Sequence, residues 1–197
     1  MNIKHIIRYG LLAYIFLYVF YSPLYAQQKE YDIIQIPVEK FLSGYPYHGN
    51  LLNDSTVMVG STYQSDPYRN WAFKFRDGAV TYYADLVGNP TYGSHVFAIN
   101  NNSIAVGMSY NGASDTSTPL PVRWEGGTIT NLVAGNPTFD LGMAYAINSA
   151  GKIVGRVSPK EPVAGVYNFP FIYDGSMSII TSLGEYEFIV INDNDYI

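Results

Sequence analysis

The chain contains no cysteine. Disulfides, thiolate metal sites and a lipid-modified N-terminal cysteine are therefore all excluded, and the fold must stand on its core alone. Histidine is almost as scarce: beyond the N-terminal segment discussed next, only His48 and His95 occur. They supply no cluster at zinc-ligand spacing, so neither a metal nor any other cofactor is called for. Charged residues make up 14% of the chain, with 16 acids against 11 bases. Scattered Lys and Arg in an acidic chain give no grip on a phosphate backbone, which sets nucleic acid aside as a partner. Long apolar runs are also missing, since the stretch from Tyr9 to Tyr21 has 13 residues, short of the ~20 that a membrane span needs.

That short run has the form of an export signal. Lys4 and Arg8 precede it, Pro23 breaks it, and Leu24-Tyr25-Ala26 offers a small residue for cleavage. Residues 1–26 are read as a signal peptide and residues 27–197 as a β-repeat domain in the periplasm, on the cell surface or in the medium, with no membrane attachment after cleavage. Removing Lys4 and Arg8 and no acid leaves 9 bases against 16 acids, a net charge of −7. What is plentiful is tyrosine and glycine, 19 and 18 residues. Tyrosine suits strands that face water on one side, and glycine suits the turns between them.

The order within this composition is a repeat. Leu52-Asn53 leads to Val59-Gly60, Ile99-Asn100 to Val106-Gly107, and Ile147-Asn148 to Val154-Gly155, while a fourth copy opens at Ile191-Asn192. The asparagines are 47, 48 and 44 residues apart. A second phrase keeps step at offsets of 49: Phe73 to Gly78, Val122 to Gly127, and Phe171 to Gly175. Two markers with one period define repeats at roughly 45–87, 92–133 and 140–184, with a partial copy at 186–197 that the sequence leaves inside a repeat.

Each repeat reads as four antiparallel strands, the content of one propeller blade. In the third, Met143 to Ile147 and Lys152 to Val157 are strands around Asn148-Ser149-Ala150-Gly151, where Gly151 is expected to supply a positive φ. Asn102 or Ser103 must take that conformation in the second repeat. In the first, β-branched Thr56 fits poorly, which predicts a distorted turn. Polar stretches after Gly60, Gly107 and Gly155 read as exposed loops, Ser61 to Arg69, Tyr110 to Thr118 and Ser158 to Asn168. Strand three carries the aromatic phrase. Turns at Asp77-Gly78, Gly126-Gly127 and Asp174-Gly175 then lead into strand four, at Ala79 to Tyr83, Thr128 to Leu132 and Met177 to Leu183. Tyr31 to Ile36 reads as a lone strand before the first repeat. The fold class is all-β, a propeller-type array of about three blades plus a truncated fourth.

These phrases resemble the bacterial extracellular HAF repeats, named for a His-Ala-Phe tripeptide. Ala146-Ile147-Asn148 through Gly155, Ala98-Ile99-Asn100 through Gly107, and Trp124 through Leu132 are similar to the family's phrases, and the resemblance spans roughly residues 45 to 197. Trp71-Ala72-Phe73, Leu120-Pro121-Val122 and Phe169-Pro170-Phe171 stand where the tripeptide would, without its histidine. The resemblance implies a propeller-like fold and an extracellular location, and no activity.

No catalytic residues are assigned. Ser94 and His95 are sequence neighbours whose side chains point to opposite faces of a strand, and His95 is read as a loop histidine before Val96-Phe97-Ala98. Asp77, Glu125 and Asp174 recur in the same turn, which marks turn formers rather than a glycosidase pair. Asn192-Asp193-Asn194-Asp195 is rich in oxygen, but fills the turn slot of Asn148 to Gly151 and lacks the glycine and distant Glu of a calcium loop. Trp71, Trp124 and Tyr173 are read as core residues at a shared repeat position, and as candidate aromatic contacts to a ligand. The expected function is non-catalytic binding of a carbohydrate or surface protein through the variable loops. A secreted carbohydrate-active enzyme and a truncated structural fragment of a longer propeller are the alternatives. Open strand edges lead us to expect self-association or further repeats.

Overall fold

The computed structural model describes residues 36, 41–42, 51–65, 68–86, 93–111, 118–161, 167–183 and 190–197, all in the second of two compact units, Ile36–Ile197. The signal peptide at 1–26 lies outside the described residues, and so does the lone strand except for Ile36, which is in no strand. Among the described residues no helix is long and apolar enough to cross a membrane.

The fold is all-β, in three antiparallel sheets of four strands. The first holds β1 (Phe41–Leu42), β2 (Met58–Ser65), β3 (Tyr68–Arg76) and β4 (Ala79–Tyr82). The second holds β5 (Ser94–Ile99), β6 (Ala105–Tyr110), β7 (Pro119–Glu125) and β8 (Thr128–Asn131). The third holds β9 (Phe139–Ile147), β10 (Ile153–Pro159), β11 (Phe169–Tyr173) and β12 (Met177–Ile179). Spatial order follows chain order in each sheet, so every sheet is a meander, and among the described residues the sheets close into neither a barrel nor a propeller ring.

Several boundaries differ from the sequence expectation. Among the described residues, Ser61 to Ser65 and Tyr68 to Arg69 are strand rather than loop, because β2 and β3 pair from Met58 opposite Phe75 to Ser65 opposite Tyr68. Ser61, one of the polar residues that suggested a loop, is buried, and its Oγ accepts the Val96 N–H of the neighbouring sheet at 3.1 Å. Tyr110, Ser158 and Pro159 likewise belong to strands, the remainder of those two expected loops being described only in part. The third repeat's last strand ends at Ile179, and Thr181–Leu183 forms a short 3-10 turn. His95 lies in β5, buried rather than in a loop.

The sheets stack face to face. Val57, Val59 and Ala72 of the first repeat meet Val96, Ile99, Ala105, Val122 and Trp124 of the second. Ala98, Ile104, Val106 and Leu120 of the second meet Ala144, Ile147, Ile153 and Val157 of the third. Gly107 and Gly155 lie inside β6 and β10, where a Cβ would come within 1.9 Å of the His95 carbonyl oxygen and 2.0 Å of the Met143 carbonyl oxygen. The neighbouring strands bulge inward there, with Phe97 and Tyr145 as the extra residues, and only glycine admits the approach. At Gly60 the obstacle is instead the Phe73 ring, 2.7 Å from a Cβ.

The recurrent asparagines close four like turns. Each Asn N–H donates to the carbonyl four residues on, and its own carbonyl accepts the N–H three residues on. The left-handed residue is Thr56 (φ 59°), Ser103 (61°), Gly151 (88°) and Asp195 (61°). The Thr56 turn is therefore not distorted, and in the second repeat Ser103 rather than Asn102 takes the left-handed conformation. The reason is the side chain: Asn53 Oδ1 accepts the Ser55 and Val57 N–H groups, and Asn100 Oδ1 accepts those of Asn102 and Ile104. Two local bonds hold the loop, against the ~1–2 kcal/mol that a side chain costs in the left-handed region.

The same side chains join the repeats. Asn53 Nδ2 donates to the Asn100 carbonyl and Asn100 Nδ2 to that of Asn148, each at 3.0 Å, and Asn148 Nδ2 reaches that of Asn192 at 3.3 Å. Each asparagine thus folds its own turn with its oxygen and ties the next with its nitrogen. Asn53, Asn100 and Asn148 are buried, so removing one strands polar backbone away from water.

Candidate ligand-binding cleft

At the end of the sheets that carries these turns, the first and second repeats part to form a cleft of about 480 Å³. Its size falls in the ordinary range of small-ligand sites. Val57 and Ile99 lie on the floor side, and Lys74, Arg76, Thr81, Tyr82, Tyr83, Asn102, Ser103, Trp124 and Glu125 contribute to the walls. Lys74 and Arg76 are two apart on β3, so both project from the face that stacks on the second sheet. Thr81 is the cross-strand partner of Lys74. Tyr83 prolongs β4, its N–H donating to the Ala72 carbonyl at 2.8 Å.

The aromatic wall is held by a ring stack and a hydrogen bond. Tyr83 stacks on Trp124 with ring centroids 5.1 Å apart, and Trp124 Nε1 donates to the Ala84 carbonyl at 2.8 Å. Burial pushes the Tyr83 hydroxyl up to about 12, so it stays protonated and uncharged at neutral pH. Trp124 is buried, with one face covered by Tyr83, which makes it a wall support rather than a stacking platform.

The charges are less constrained. Arg76 meets Asp77 at 3.2 Å, but both side chains are largely exposed, and such pairs contribute little. Lys74 is exposed and forms no ion pair among the described residues. Glu125 is tied to Arg123 at 2.6 Å. The cleft therefore presents two positive groups, one carboxylate already engaged, and a row of hydroxyl and amide groups.

The corresponding place between the second and third repeats is built differently. At offset 49, Lys74 corresponds to Arg123 and Arg76 to Glu125. Leu132 replaces Tyr83, its N–H making the same bond to the Pro121 carbonyl at 2.9 Å. There the cation and the acid neutralise each other, and Leu132 is buried in the core.

The other residues singled out in the sequence fall elsewhere. Register separates the three aromatics: Trp124 and Tyr173 share a position with Phe75, whereas Trp71 corresponds to Leu120 and Phe169. Trp71 is half-buried, with the Arg69 guanidinium 4.9 Å above its ring and Arg69 bound to Asp85 at 2.6 Å. Tyr173 is half-buried against the core between the second and third repeats. Gly78, Gly127 and Gly175 take φ of 79°, 85° and 76° in the outer hairpin turns, with Asp77 also left-handed at 50°. Asn192 to Asp195 forms the fourth turn. Its carboxylates serve the third: Asp193 accepts from the Ser149 N–H and hydroxyl, and Asp195 binds Lys152 Nζ at 2.6 Å, which raises the Lys152 pKa. A second depression of about 370 Å³ lies among the four Asn turns, and its acids Asp54 and Asp193 are engaged by Asn101 and Ser149.

His95 is 3% exposed, and its ring lies 6.4 Å from that of Phe97, which in turn stacks on Tyr145 at 5.7 Å. Burial lowers its pKa to about 4, so it is neutral at pH 7. Ser94, also buried, uses its hydroxyl to accept the Ala72 N–H at 3.4 Å, a bond between sheets.

The sequence pointed to the loops and the large aromatics and missed Lys74, Arg76 and Tyr83. The signal was available in the repeat alignment, as the positions where the first repeat carries Lys, Arg and Tyr and the second carries Arg, Glu and Leu. Comparison with family models, with curated proteins and with solved structures finds no match for this chain.

Proposed function

We propose that the protein is an exported, non-catalytic binding protein, built as a propeller-type array of HAF-like blades, with its ligand site in the cleft between the first and second repeats. One observation carries this reading: a repeated framework with equivalent strands, turns and inter-repeat bonds departs from its own pattern at one junction, and there it opens a cleft with accessible cations. Function resides in the site rather than the fold, and the site is where the repeat is broken. The face-to-face stacking of sheets at a constant sequence offset supports the propeller-type array. The glycosidase alternative requires two carboxylates flanking a bound sugar, whereas the cleft lining contains Glu125 alone.

The test is a binding screen of the full chain against neutral and acidic polysaccharides and cell-envelope fractions, repeated with Thr81→Trp. Thr81 is exposed on β4 at the cleft wall, so an indole there fills the site while leaving the core intact. The reading expects at least one ligand whose binding Thr81→Trp abolishes. Ligands that bind both proteins equally, or no ligand at all, would refute it.

Exposed Val190, Tyr196 and Ile197 beside the fourth turn support a further part of the proposal, self-association or the docking of further repeats. Light scattering showing a monodisperse monomer at high concentration would contradict the self-association.

A further inference from the structure

The chemistry of the cleft lining specifies a class of ligand, an inference that rests on the cleft being the binding site. Lys74 and Arg76 stand two residues apart on one strand face, which sets their stems about 6.6 Å apart at ~3.3 Å per residue. The chain as a whole is acidic, at −5 before any cleavage. Long-range attraction therefore does not bring an anion to this protein, and selectivity for one must come from groups at the site. Around the two cations lie the hydroxyls of Thr81 and Tyr82 together with Asn102 and Ser103; Asn102 Nδ2 already donates to the Ser149 carbonyl at 3.0 Å and Ser103 Oγ accepts from Asn53 Nδ2 at 3.4 Å, so toward a ligand Asn102 offers its Oδ1 as an acceptor and Ser103 its O–H as a donor. Ligand carboxylates suit the cations, and ligand hydroxyls suit the rest. Tyr82 adds an amphipathic ring, 43% exposed, at the same wall.

We infer that the cleft binds an acidic polysaccharide, a chain of sugars bearing carboxylates, with Lys74 and Arg76 gripping the carboxylates and Thr81, Asn102 and Ser103 meeting the hydroxyls. An acidic peptide would satisfy the two cations as well. It would present few hydroxyls to the polar groups of the lining, whereas every unit of a sugar chain carries several. A polysaccharide uses both parts of the lining.

Affinity electrophoresis on native gels tests this, with the full chain run through gels containing polygalacturonate, dextran or poly-glutamate. The variants are Lys74→Met with Arg76→Met, and Lys160→Met as a control of partly matched charge change outside the cleft, each checked for an unchanged melting temperature. Polygalacturonate should retard the unaltered protein and dextran should not. The double variant should bind more than about tenfold more weakly, since each lost bond to a charged group is a large term. Lys160→Met should bind as the parent does, and added salt should release the complex. Retardation by dextran that survives the double variant but is lost in Thr81→Trp would keep the cleft as a binding site and overturn the acidic ligand. Equal retardation by poly-glutamate would assign the cleft to acidic peptides instead. If neither anionic polymer retards the protein, the inference fails, while the Thr81→Trp screen still decides whether the cleft binds anything.

Discussion

The junction between the first and second repeats and the junction between the second and third are made by the same backbone and end differently. Along the Asn turns they are alike: a buried asparagine ties each repeat to the next at 3.0 Å. At the outer hairpins they part. The later junction closes with an Arg123–Glu125 pair and buried Leu132, whereas the earlier one holds Lys74, Arg76 and Tyr83 around open space. The difference shows which part of a repeat is scaffold and which part is free to become a site. Positions whose side chains bond the backbone of the next repeat cannot vary without loss. Positions that only face it can change charge and size.

The largest expected effect tests the shared half. Asn100→Ala removes one bond to the third repeat and strands the buried Ile104 N–H, at about 2–4 kcal/mol, given 1–3 for a buried group left unsatisfied and about 1 for the lost bond. Asn53→Ala and Asn148→Ala should cost about as much, and Asn192→Ala, exposed at the fourth turn, less than about 1 kcal/mol. Denaturant midpoints measure this series. Equal losses at Asn192 and Asn100 would show that burial is not the deciding factor.

The next effect follows from His95 beside the bulge. Its folded pKa, about 4, lies below the unfolded value of 6.5. The unfolded state binds the extra proton between these values, so this contribution is complete above pH 6.5 and is lost as pH falls toward 4. The full difference is of order 3 kcal/mol. A His95→Gln protein, measured over the same range, should lack this component of the slope.

Smaller changes probe individual turns and walls. Thr56→Gly should stabilise by about 1 kcal/mol by relieving a β-branched residue at φ 59°, and Gly151→Val should destabilise by a similar amount or more. Tyr83→Leu, which gives the earlier junction the later one's residue, should cost about 0.5–1.5 kcal/mol through loss of the stack on Trp124. Melting temperatures order these three variants.

Much of the scaffold was legible in the sequence, because turn chemistry and period are local. The Asn at the head of each turn, the hairpin glycines and most strands of the second and third repeats follow from adjacent residues, whereas β1, Phe41–Leu42, precedes the expected start of the first repeat near residue 45. The purpose of Gly107 and Gly155 was not, since a bulge in another strand makes the close contact. Nor was the strand character of Ser61 to Ser65, because a polar run reads as a loop until the Ser61 hydroxyl is seen accepting a bond from another sheet. The cleft was hidden for a related reason. Lys74 and Arg76 are ordinary exposed residues of one strand, and their meaning depends on what stands opposite them.

The smallest effect on stability is the most informative about function. Exchanging the pair at the earlier junction for that of the later one, Lys74→Arg with Arg76→Glu, retains a cation, adds an acid beside it and leaves the core untouched. Surface changes of this kind are expected to alter stability by no more than about 0.5 kcal/mol. The arginine at position 74 then has an intramolecular carboxylate two residues away on its own strand face, as Arg123 has Glu125 at 2.6 Å. A ligand carboxylate must compete with that partner, so binding of polygalacturonate should be lost while the melting temperature stays constant. Retained binding would show that the cations of the cleft are incidental, and that the two junctions differ in shape alone.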